Sequence, residues 1–357
     1  MYLLLPLLMA FFLTAVMLPI VRQASVKLGV MDQPDHRKIH QKAMPLMGGL
    51  AIFVGFWITV LVTQPLTREI AAFGVGSIVI LVAGIWDDKK NIRPWIKLLM
   101  QIVAASIVIT LGGLRITFVT TPIGGNTMGL GWFALPLTYA WIVGLSNAVN
   151  FVDGLDGLAA GISGIAALSI GAIAWMQGFP AVGILAMILG VSALAFLLYN
   201  FHPAKMFMGD TGALFLGYSL AVLSIMGLTK MATTVSLFLP ILVLGVPIFD
   251  TLFAIFRRLK NNTPVYMPDK DHLHHRLLAT GMSHRKVVLV VYMVCLFLSL
   301  SAIGISLLPT RQALMAVFLV TLAAFICAER LGVIGRKVSQ NKPEQDSSLS
   351  PRNAGAD

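Results

Sequence analysis

Charged residues are scarce in this chain. Only 11% of its 357 residues are Asp, Glu, Lys or Arg, whereas 57% are hydrophobic, and the mean hydropathy is +0.86. A water-soluble protein cannot cover that much apolar surface, but a bilayer core requires it. The apolar runs are continuous rather than alternating, which favours spanning helices over a membrane β-barrel. The sequence therefore predicts an all-α, polytopic integral membrane protein.

Cysteine is almost absent as well. The chain has two cysteines, Cys295 and Cys327, and both fall within predicted spans, so no disulfide framework is expected. The hydrophobic runs predict about eleven transmembrane helices, at 2–22, 46–63, 69–86, 95–114, 132–149, 157–177, 180–199, 212–229, 235–256, 287–308 and 312–331. Residues 1–335 are expected to form one membrane catalytic domain. Residues 336–357 are expected to form a disordered cytoplasmic tail.

The basic residues predict the orientation. No Lys or Arg precedes the first span, and Arg22 and Lys27 follow it, so we expect an uncleaved span with the N-terminus outside and the C-terminus cytoplasmic. The predicted inside segments are 23–45, 87–94, 150–156, 200–211, 257–286 and the tail. Of the 26 Lys and Arg residues, only four fall on the other face: Arg68, Arg115, Lys230 and Arg311. The net charge of +11 thus reflects membrane topology and phosphate binding rather than a nucleic-acid partner.

Acids and histidines follow the same asymmetry, although they were not used to set the topology. All 7 histidines fall on the predicted inside, and of the 15 acids only Glu69 lies outside. A chain that needed polar residues only for solubility would place them on both faces. The distribution predicts a multi-pass protein of the plasma or inner membrane with an active site that faces the cytoplasm.

Two acidic motifs lie in consecutive inside segments. Asp87 and Asp88 are adjacent, and their mutual repulsion suits an Mg²⁺ ion that also binds substrate phosphates, although a solvated loop paired with nearby lysines is the alternative. Asp153 and Asp156 share one face of a helical turn and follow Asn150. Capping of the next helix would explain Asp156 but neither of the other two residues.

Two further polar segments lie later in the chain. Asp210 either serves the site or caps the eighth span, and Phe207 can stack on a flat base. On a helix, His272, His275 and Arg276 would share a face suited to a pyrophosphate or a sugar. A zinc site and a solvated basic loop are the alternatives there. Asp250, within the ninth span, either functions or ties helices together.

Together these clusters suit transfer of a phosphorylated group from a soluble nucleotide to a lipid phosphate. A transporter would place acids in mid-span and on both faces, yet only Asp250 is well inside a span. A prenyltransferase needs two motifs with acids four residues apart, and a CDP-alcohol phosphotransferase needs a longer Asp-Gly and Asp-x-x-x-Asp string. Neither pattern is present in the sequence.

Six ordered motifs resemble the polyprenyl-phosphate N-acetylhexosamine-1-phosphate transferases. They are Lys42-Ala-Met-Pro-Leu-Met-Gly-Gly49, Asp87-Asp88, Asn150-Phe-Val-Asp-Gly-Leu-Asp-Gly157, Phe207-Met-Gly-Asp-Thr-Gly212, Val246-Pro-Ile-Phe-Asp-Thr251 and His272-Leu-His-His-Arg276. The resemblance implies transfer of a sugar-1-phosphate from a UDP-sugar to undecaprenyl phosphate, with release of UMP and a requirement for Mg²⁺ or Mn²⁺.

The resemblance also implies residue roles. Asp210 and Asp88 would bind the metal, and Asp87 and Asp88 would act on the phosphates, with Asp87 favoured as base. His274 and His275 would be catalytic at the diphosphate. The substrate-binding set is Lys42, Lys97, Asn150, Asp153, Asp156, Asn200, Phe207, His272 and Arg276.

The motif near residue 272 distinguishes branches of the family. The phospho-MurNAc-pentapeptide branch carries three consecutive histidines, whereas His-Leu-His-His-Arg resembles the branch that uses GlcNAc-1-phosphate. Arg276 is therefore expected to help select the sugar. The reaction is expected to be the first membrane step of a cell-surface glycan such as teichoic acid or O-antigen. A homodimer is expected. Direct attack by the lipid phosphate and a two-step route through a phospho-aspartyl enzyme both remain open.

Overall fold

The computed structural model of the chain describes residues 3–33, 43–120, 127–228, 238–263 and 272–330, and these are almost wholly helical. The helices are α1 Leu4–Leu28, α2 Gly48–Thr63, α3 Arg68–Lys90, α4 Pro94–Thr110, α5 Ala134–Val152, α6 Leu158–Met176, α7 Pro180–Asn200, α8 Gly209–Leu228, α9 Phe238–Val243, α10 Gly245–Lys260, α11 Leu273–Ala279, α12 His284–Ile305 and α13 Thr310–Arg330. Two short antiparallel strand pairs accompany them: β1 Met31–Asp32 with β2 Met44–Pro45, and β3 Phe118–Thr120 with β4 Thr127–Gly129.

Seven helices in the described ranges are long and apolar enough to cross a membrane. They are Leu4–Leu28, Arg68–Lys90, Gly131–Val152, Leu158–Met176, Pro180–Asn200, Gly209–Gly227 and His284–Ile305. Three shorter apolar helices, Gly48–Thr63, Pro94–Thr110 and Arg311–Ile326, match the predicted second, fourth and eleventh spans. The all-α, multi-pass membrane class is therefore confirmed.

The predicted ninth span, 235–256, is not one continuous helix. A turn at Leu244 separates α9 from α10. Pro247 follows three residues later, and it lacks the N–H that an uninterrupted helix would require at that position. Hydropathy reports apolar length and not the continuity of the backbone, so the span itself stays a prediction.

Helix α8 is the centre of the bundle. Every side chain from Thr211 to Gly227 is buried, and the helix packs against α2, α3, α5, α6 and α7. Phe215 and Tyr218 are fully buried, and edge-to-face ring contacts connect Phe215 to Phe53 and Phe56 of α2. This burial fixes the position of the first turn of α8, where Asp210 lies.

Small residues allow α6 and α7 to pack closely. A Cβ at Gly164 or Gly171 of α6 would press against Leu194 or Met187 of α7, and the reciprocal positions Gly183 and Gly190 meet the carbonyls of α6. Such close backbone approach replaces the hydrophobic driving force that helices lack within lipid. The pair holds the segments at its polar end, 153–157 and 200–208, in fixed register.

The polar segments meet at one end of the bundle. The C-terminal ends of α3, α5 and α7 lie there with the N-terminal ends of α4, α6, α8 and α12, joined by side-chain contacts among Asp87, Lys97, Asp210, Asp156, His202 and His284. The opposite end carries the connections from α6 to α7 and from α12 to α13, which are joined by a hydrogen bond from Gln177 to the carbonyl of Ser306.

Candidate active site

An acid–lysine–acid group lies where three helices meet. Lys97, in the first turns of α4, places its Nζ 2.7 Å from Asp87 Oδ2 at the end of α3, and it also forms an ion pair with Asp210 in the first turn of α8. The Asp87 and Asp210 carboxyl groups lie within hydrogen-bonding reach of each other. Asp87 Oδ1 accepts the N–H of Ile92 at 2.8 Å, which fixes the turn between α3 and α4. Residues predicted from separate segments are thus brought together.

Asp88 binds the N-terminus of α8. Its carboxylate accepts the N–H groups of Asp210 at 2.8 Å and Thr211 at 3.2 Å, and also the Thr211 hydroxyl. These are N–H groups that a helix leaves unpaired at its start, and a carboxylate there also complements the helix dipole. Since a carboxylate has about four acceptor positions, one position remains for a metal or a substrate.

Glycine is required beside Asp88. Gly209 has φ of +70°, and a Cβ there would overlap the Asp88 carboxylate. The Phe-Met-Gly-Asp motif therefore has a structural reason for its glycine: the chain must turn in a left-handed conformation and pass directly against an acid. Asp210 follows inside the first turn of α8, so its carboxylate is turned toward Lys97. The alternative that Asp210 only caps this helix is not supported.

Backbone hydrogen bonds hold this loop to the start of α2. The N–H of Phe207 donates to Pro45 O at 2.9 Å, Gly48 N–H donates to Phe207 O at 3.0 Å, and Gly49 N–H donates to Met208 O at 3.0 Å. We refer to these three bonds as the backbone clamp. The Lys42 to Gly49 motif thus has an anchoring role. Lys42 itself, predicted to bind substrate, lies outside the described residues.

Asp153 lies in the turn between α5 and α6 and belongs to the same electrostatic group. Its desolvated surroundings raise its pKa to about 8, and the negative charges of Asp210, Asp88 and Asp156 add to that effect. Lys97 forms ion pairs with Asp87 and Asp210 and so offsets part of this negative charge. Carboxylate oxygens in excess over cationic side chains match the donor set that Mg²⁺ or Mn²⁺ prefers, so these residues fit the implied metal.

Asp156 does not cap α6. The residue that precedes the helix is Gly157, which has no side chain with which to cap it. Asp156 Oδ2 instead accepts the N–H of Ala204 at 3.1 Å and lies 2.8 Å from His202 Nδ1. The turn that follows α5 therefore contacts the segment 200–208 directly. Two other predicted site residues, Asn150 in the last turn of α5 and Phe207, are half-buried.

Asn200 joins the two segments through its buried side chain. Its Oδ1 accepts the N–H of Gly157 at 2.9 Å and its Nδ2 donates to Met206 O at 3.0 Å. Both ends of the amide are used by the backbone. The structure places this predicted substrate-binding residue beneath the loops, where it positions them.

Asp250 positions the histidine motif. The sequence alone left the role of this residue open. Its Oδ2 lies 2.9 Å from His272 Nδ1, and its Oδ1 accepts the Leu273 N–H at 2.8 Å at the start of α11. Asp250 is 7% exposed and His272 is 6% exposed, so the pair is buried. The only sequence signal was a carboxylate two turns inside an apolar run.

The predicted shared face of His272, His275 and Arg276 is wrong. His272 has extended backbone and precedes α11, so helical spacing does not apply to it. His272 and His274 are buried with their ring planes nearly parallel, whereas His275 is exposed and Arg276 is half-buried. Among the described residues of this motif, no three possible ligand atoms lie close enough together to hold a zinc ion, so the zinc alternative is not supported for these histidines.

His274 faces the turn after α5. It is 3% exposed, and its Nε2 has no hydrogen-bond partner among the described residues. A Cβ at Gly154 would overlap this Nε2, so the ring lies directly against the backbone next to Asp153. Burial, followed by the charge of His275, lowers the His274 pKa to about 3, so the ring is neutral at physiological pH.

Comparison with known proteins identifies the family. Residues 70–228 match glycosyl transferase family 4. The chain is 46% identical over 320 residues to a probable undecaprenyl-phosphate N-acetylglucosaminyl 1-phosphate transferase of Bacillus subtilis, and the match covers 89% of each chain.

More distant relatives agree. A decaprenyl-phosphate N-acetylglucosaminephosphotransferase of Mycolicibacterium smegmatis is 36% identical over 303 residues, which cover 76% of this chain and 74% of the relative. An undecaprenyl-phosphate alpha-N-acetylglucosaminyl 1-phosphate transferase of Escherichia coli is 26% identical over 285 residues, or 79% and 78% of the two chains. The chain therefore belongs to glycosyl transferase family 4, the polyprenyl-phosphate N-acetylhexosamine-1-phosphate transferases that its motifs resemble.

Proposed function

We propose that the protein transfers GlcNAc-1-phosphate from UDP-GlcNAc to undecaprenyl phosphate, giving undecaprenyl-diphosphate-GlcNAc and UMP. The observation that carries the proposal is the group of Asp87, Lys97 and Asp210 at the polar end of apolar helices. A soluble nucleotide can reach that end from water, while the acceptor keeps its chain in lipid. The names of the relatives support the lipid acceptor and the transferred GlcNAc-1-phosphate group, and the UDP donor rests on the resemblance of the motifs.

The reaction exchanges one phosphoanhydride bond for another. A non-bridging oxygen of the lipid phosphate attacks the β-phosphorus of the UDP-sugar, and the bond from that phosphorus to the bridging oxygen breaks. The electron pair leaves with UMP, and the bond between the sugar and its phosphate is untouched. Because the second pKa of a phosphate monoester is about 6, the nucleophile is already largely dianionic at neutral pH.

The carboxylates and Lys97 then have distinct tasks. Asp210 and Asp88 would hold Mg²⁺ or Mn²⁺, which when bound supplies neutralisation of charge on the diphosphate. Lys97 holds Asp87 and Asp210 in place and adds positive charge beside the transferred phosphoryl group. Asp87 is assigned as the base that takes the remaining proton from the lipid phosphate.

The remaining residues bind the donor. We assign the nucleoside to Asn150, Asp153, Asp156 and Phe207, with Phe207 stacking on uracil. His274 and His275 contact the diphosphate, where the neutral His274 ring acts as a hydrogen-bond partner rather than as a cation. Arg276 helps to select the sugar. We further propose a plasma or inner membrane location with this end in the cytoplasm, a homodimer, and a role as first membrane step of a cell-surface glycan.

The test is a UMP-release assay on purified protein with Mg²⁺, undecaprenyl phosphate and a panel of UDP-sugars that includes UDP-MurNAc-pentapeptide. We expect turnover with UDP-GlcNAc, no turnover after chelation, and none in Asp210→Asn, which should fold and insert normally. Release of UMP only from UDP-MurNAc-pentapeptide would reassign the donor. Near-normal turnover of Asp210→Asn would remove that residue from the site. Ping-pong kinetics would favour the phospho-aspartyl route over direct attack.

A further inference from the structure

A second group of possible metal ligands lies beside the acid–lysine–acid group and is not used in the proposed reaction as a metal site. It consists of Asp156 from the turn after α5, His202 from the segment after α7, and His284 at the start of α12. One ligand atom from each residue lies within 4.8 Å of the other two. Three segments far apart in sequence therefore converge on one small volume.

The two imidazole rings are held face to face. Their centroids are 4.2 Å apart with an angle of 19° between planes, and Asp156 Oδ2 lies 2.8 Å from His202 Nδ1. His284 Nε2 is buried and has no hydrogen-bond partner among the described residues. A buried ring nitrogen without a partner costs free energy unless something binds it. This nitrogen is thus an independent indication of a ligand.

The surrounding contacts fix the group from outside. Arg285 Nε donates to the carbonyl of His202 at 3.1 Å, and the Tyr292 hydroxyl donates to the carbonyl of Gly157. Helix α12 therefore hydrogen-bonds to both segments that supply the other two ligands. A metal ion would not have to organise the site from a disordered state, because the backbone around each ligand is already positioned.

The donor set favours a borderline-soft metal. Two imidazoles and one carboxylate suit Zn²⁺, which accepts three protein ligands and leaves a fourth position open. Mg²⁺ prefers oxygen ligands and is better served by the carboxylates near Lys97. With metal–ligand distances of about 2.0–2.2 Å, tetrahedral ligand atoms lie roughly 3.4 Å apart, so the three ligand atoms must draw together and the stacked rings must turn to complete the site.

We propose that Asp156, His202 and His284 form a Zn²⁺ site that is separate from the magnesium-binding carboxylates. Zn²⁺ bound there would draw Asp156 away from Ala204 and link the turn after α5 to α12. Since Asp156 is assigned to the nucleoside, Zn²⁺ would then compete with the donor. This kinetic consequence rests on the proposed function, whereas binding of Zn²⁺ does not.

The experiment measures Zn²⁺ binding on the full chain, purified with a tag that contains no histidine and stripped with chelator. Equilibrium dialysis against Zn²⁺ with excess Mg²⁺, followed by elemental analysis, should give one Zn²⁺ per chain. His284→Gln and His202→Gln should each lower the affinity at least tenfold, while the exposed neighbour Lys286→Gln should bind as the parent does. Melting temperature and monodispersity identify any variant that fails to fold.

A second pair of variants separates this site from the histidine motif. His274→Gln and His275→Gln should keep the bound Zn²⁺, and Co²⁺ substituted into the parent should show the visible absorption of a four-coordinate site that is lost in His284→Gln. Absence of stoichiometric Zn²⁺ in the parent would overturn the proposal, as would unchanged affinity in folded His284→Gln. Loss of Zn²⁺ in His274→Gln alone would move the metal to α11.

Discussion

At the scale of single residues, the positioning role of Asp250 can be tested most directly. Its carboxylate holds His272 and the first N–H of α11, and neither contact involves a substrate. Asp250→Asn keeps the size but weakens two hydrogen bonds to a charged acceptor, each worth about 1.5–3 kcal/mol. We therefore expect kcat to fall roughly 10- to 100-fold, if the loss of one such bond is expressed at the transition state. UMP release at saturating substrates measures the change.

A matched acid-to-amide change provides the control. Glu329 is exposed on α13, so Glu329→Gln should retain parental turnover. If Asp250 only supports the fold, Asp250→Asn will melt at a lower temperature with kcat intact in the folded fraction. That result would contradict a positioning role for Asp250.

His274 allows a test by pH. Its pKa of about 3 means that the ring gains no proton between pH 5 and 8, so it cannot produce an acidic limb in that range. His274→Gln should therefore lower kcat without changing the shape of the kcat profile between pH 5 and 8. Disappearance of an acidic limb near pH 6 in this variant would show that the parental ring titrates there and is cationic at the diphosphate.

At the scale of residues, the sequence predicts the charged groups of the site better than the side chains that hold the site in place. Asp87, Asp88, Asp153 and Asp210 follow from acids placed at the ends of apolar runs, and the structure brings them together. The support given by Asp250 and Asn200 could not be predicted in the same way. A buried side chain that binds backbone or another side chain has no spacing rule in one sequence, because its partners come from other segments.

The start of α2 is the test at the scale of elements. A Cβ at Gly49 would overlap the backbone of α8 at Gly212, so the two helices can meet only if both positions are glycine. Gly49→Ala must push α2 and α8 apart, and overpacking of this kind costs about 1–3 kcal/mol. We expect a lower melting temperature together with loss of activity, measured on the same detergent-purified sample.

Gly144 offers the control for that substitution. It lies exposed on α5, and a Cβ there would meet nothing within 4 Å. Because alanine is the better helix former by about 0.5–1 kcal/mol, Gly144→Ala should melt at the same or a slightly higher temperature. Equal melting temperatures for the two alanine variants would contradict the close contact between α2 and α8.

Helix ends and breaks show where hydropathy stops being informative. The existence of the long apolar helices could be predicted, because a bilayer imposes their length and composition. The turn at Leu244 and the extended backbone at His272 could not, since both depend on packing against other helices. The predicted face of His272, His275 and Arg276 failed for the same reason.

The whole molecule makes one prediction about orientation. Lys286 lies at the polar end of the bundle, whereas Trp132, which is 74% exposed, precedes α5 at the opposite end. In a variant without Cys295 and Cys327, a cysteine at 286 should react with a membrane-impermeant reagent only from the cytosol. A cysteine at 132 should react only from outside. The opposite pattern would invert the molecule and remove the site from its soluble donor.

Convergence of distant segments is the part of the fold that topology predicted best. Placing every odd connection on one side was enough to expect that Asp87 and Asp210 are neighbours, and their common partner Lys97 bears this out. Their distances and shared hydrogen bonds required three-dimensional packing. The orientation of the bundle in the membrane rests on the basic residues and stays a prediction.

The backbone clamp has a consequence for mutational mapping of such enzymes. Its three bonds use only main-chain N–H and carbonyl groups of Pro45, Phe207, Gly48, Met208 and Gly49. Truncating the side chains of Phe207 or Met208 leaves every one of those donors and acceptors in place. A systematic truncation survey would therefore assign any loss at these two sites to the missing side chain and overlook the backbone attachment; replacing single peptide bonds with esters, which deletes one N–H at a time, would detect it.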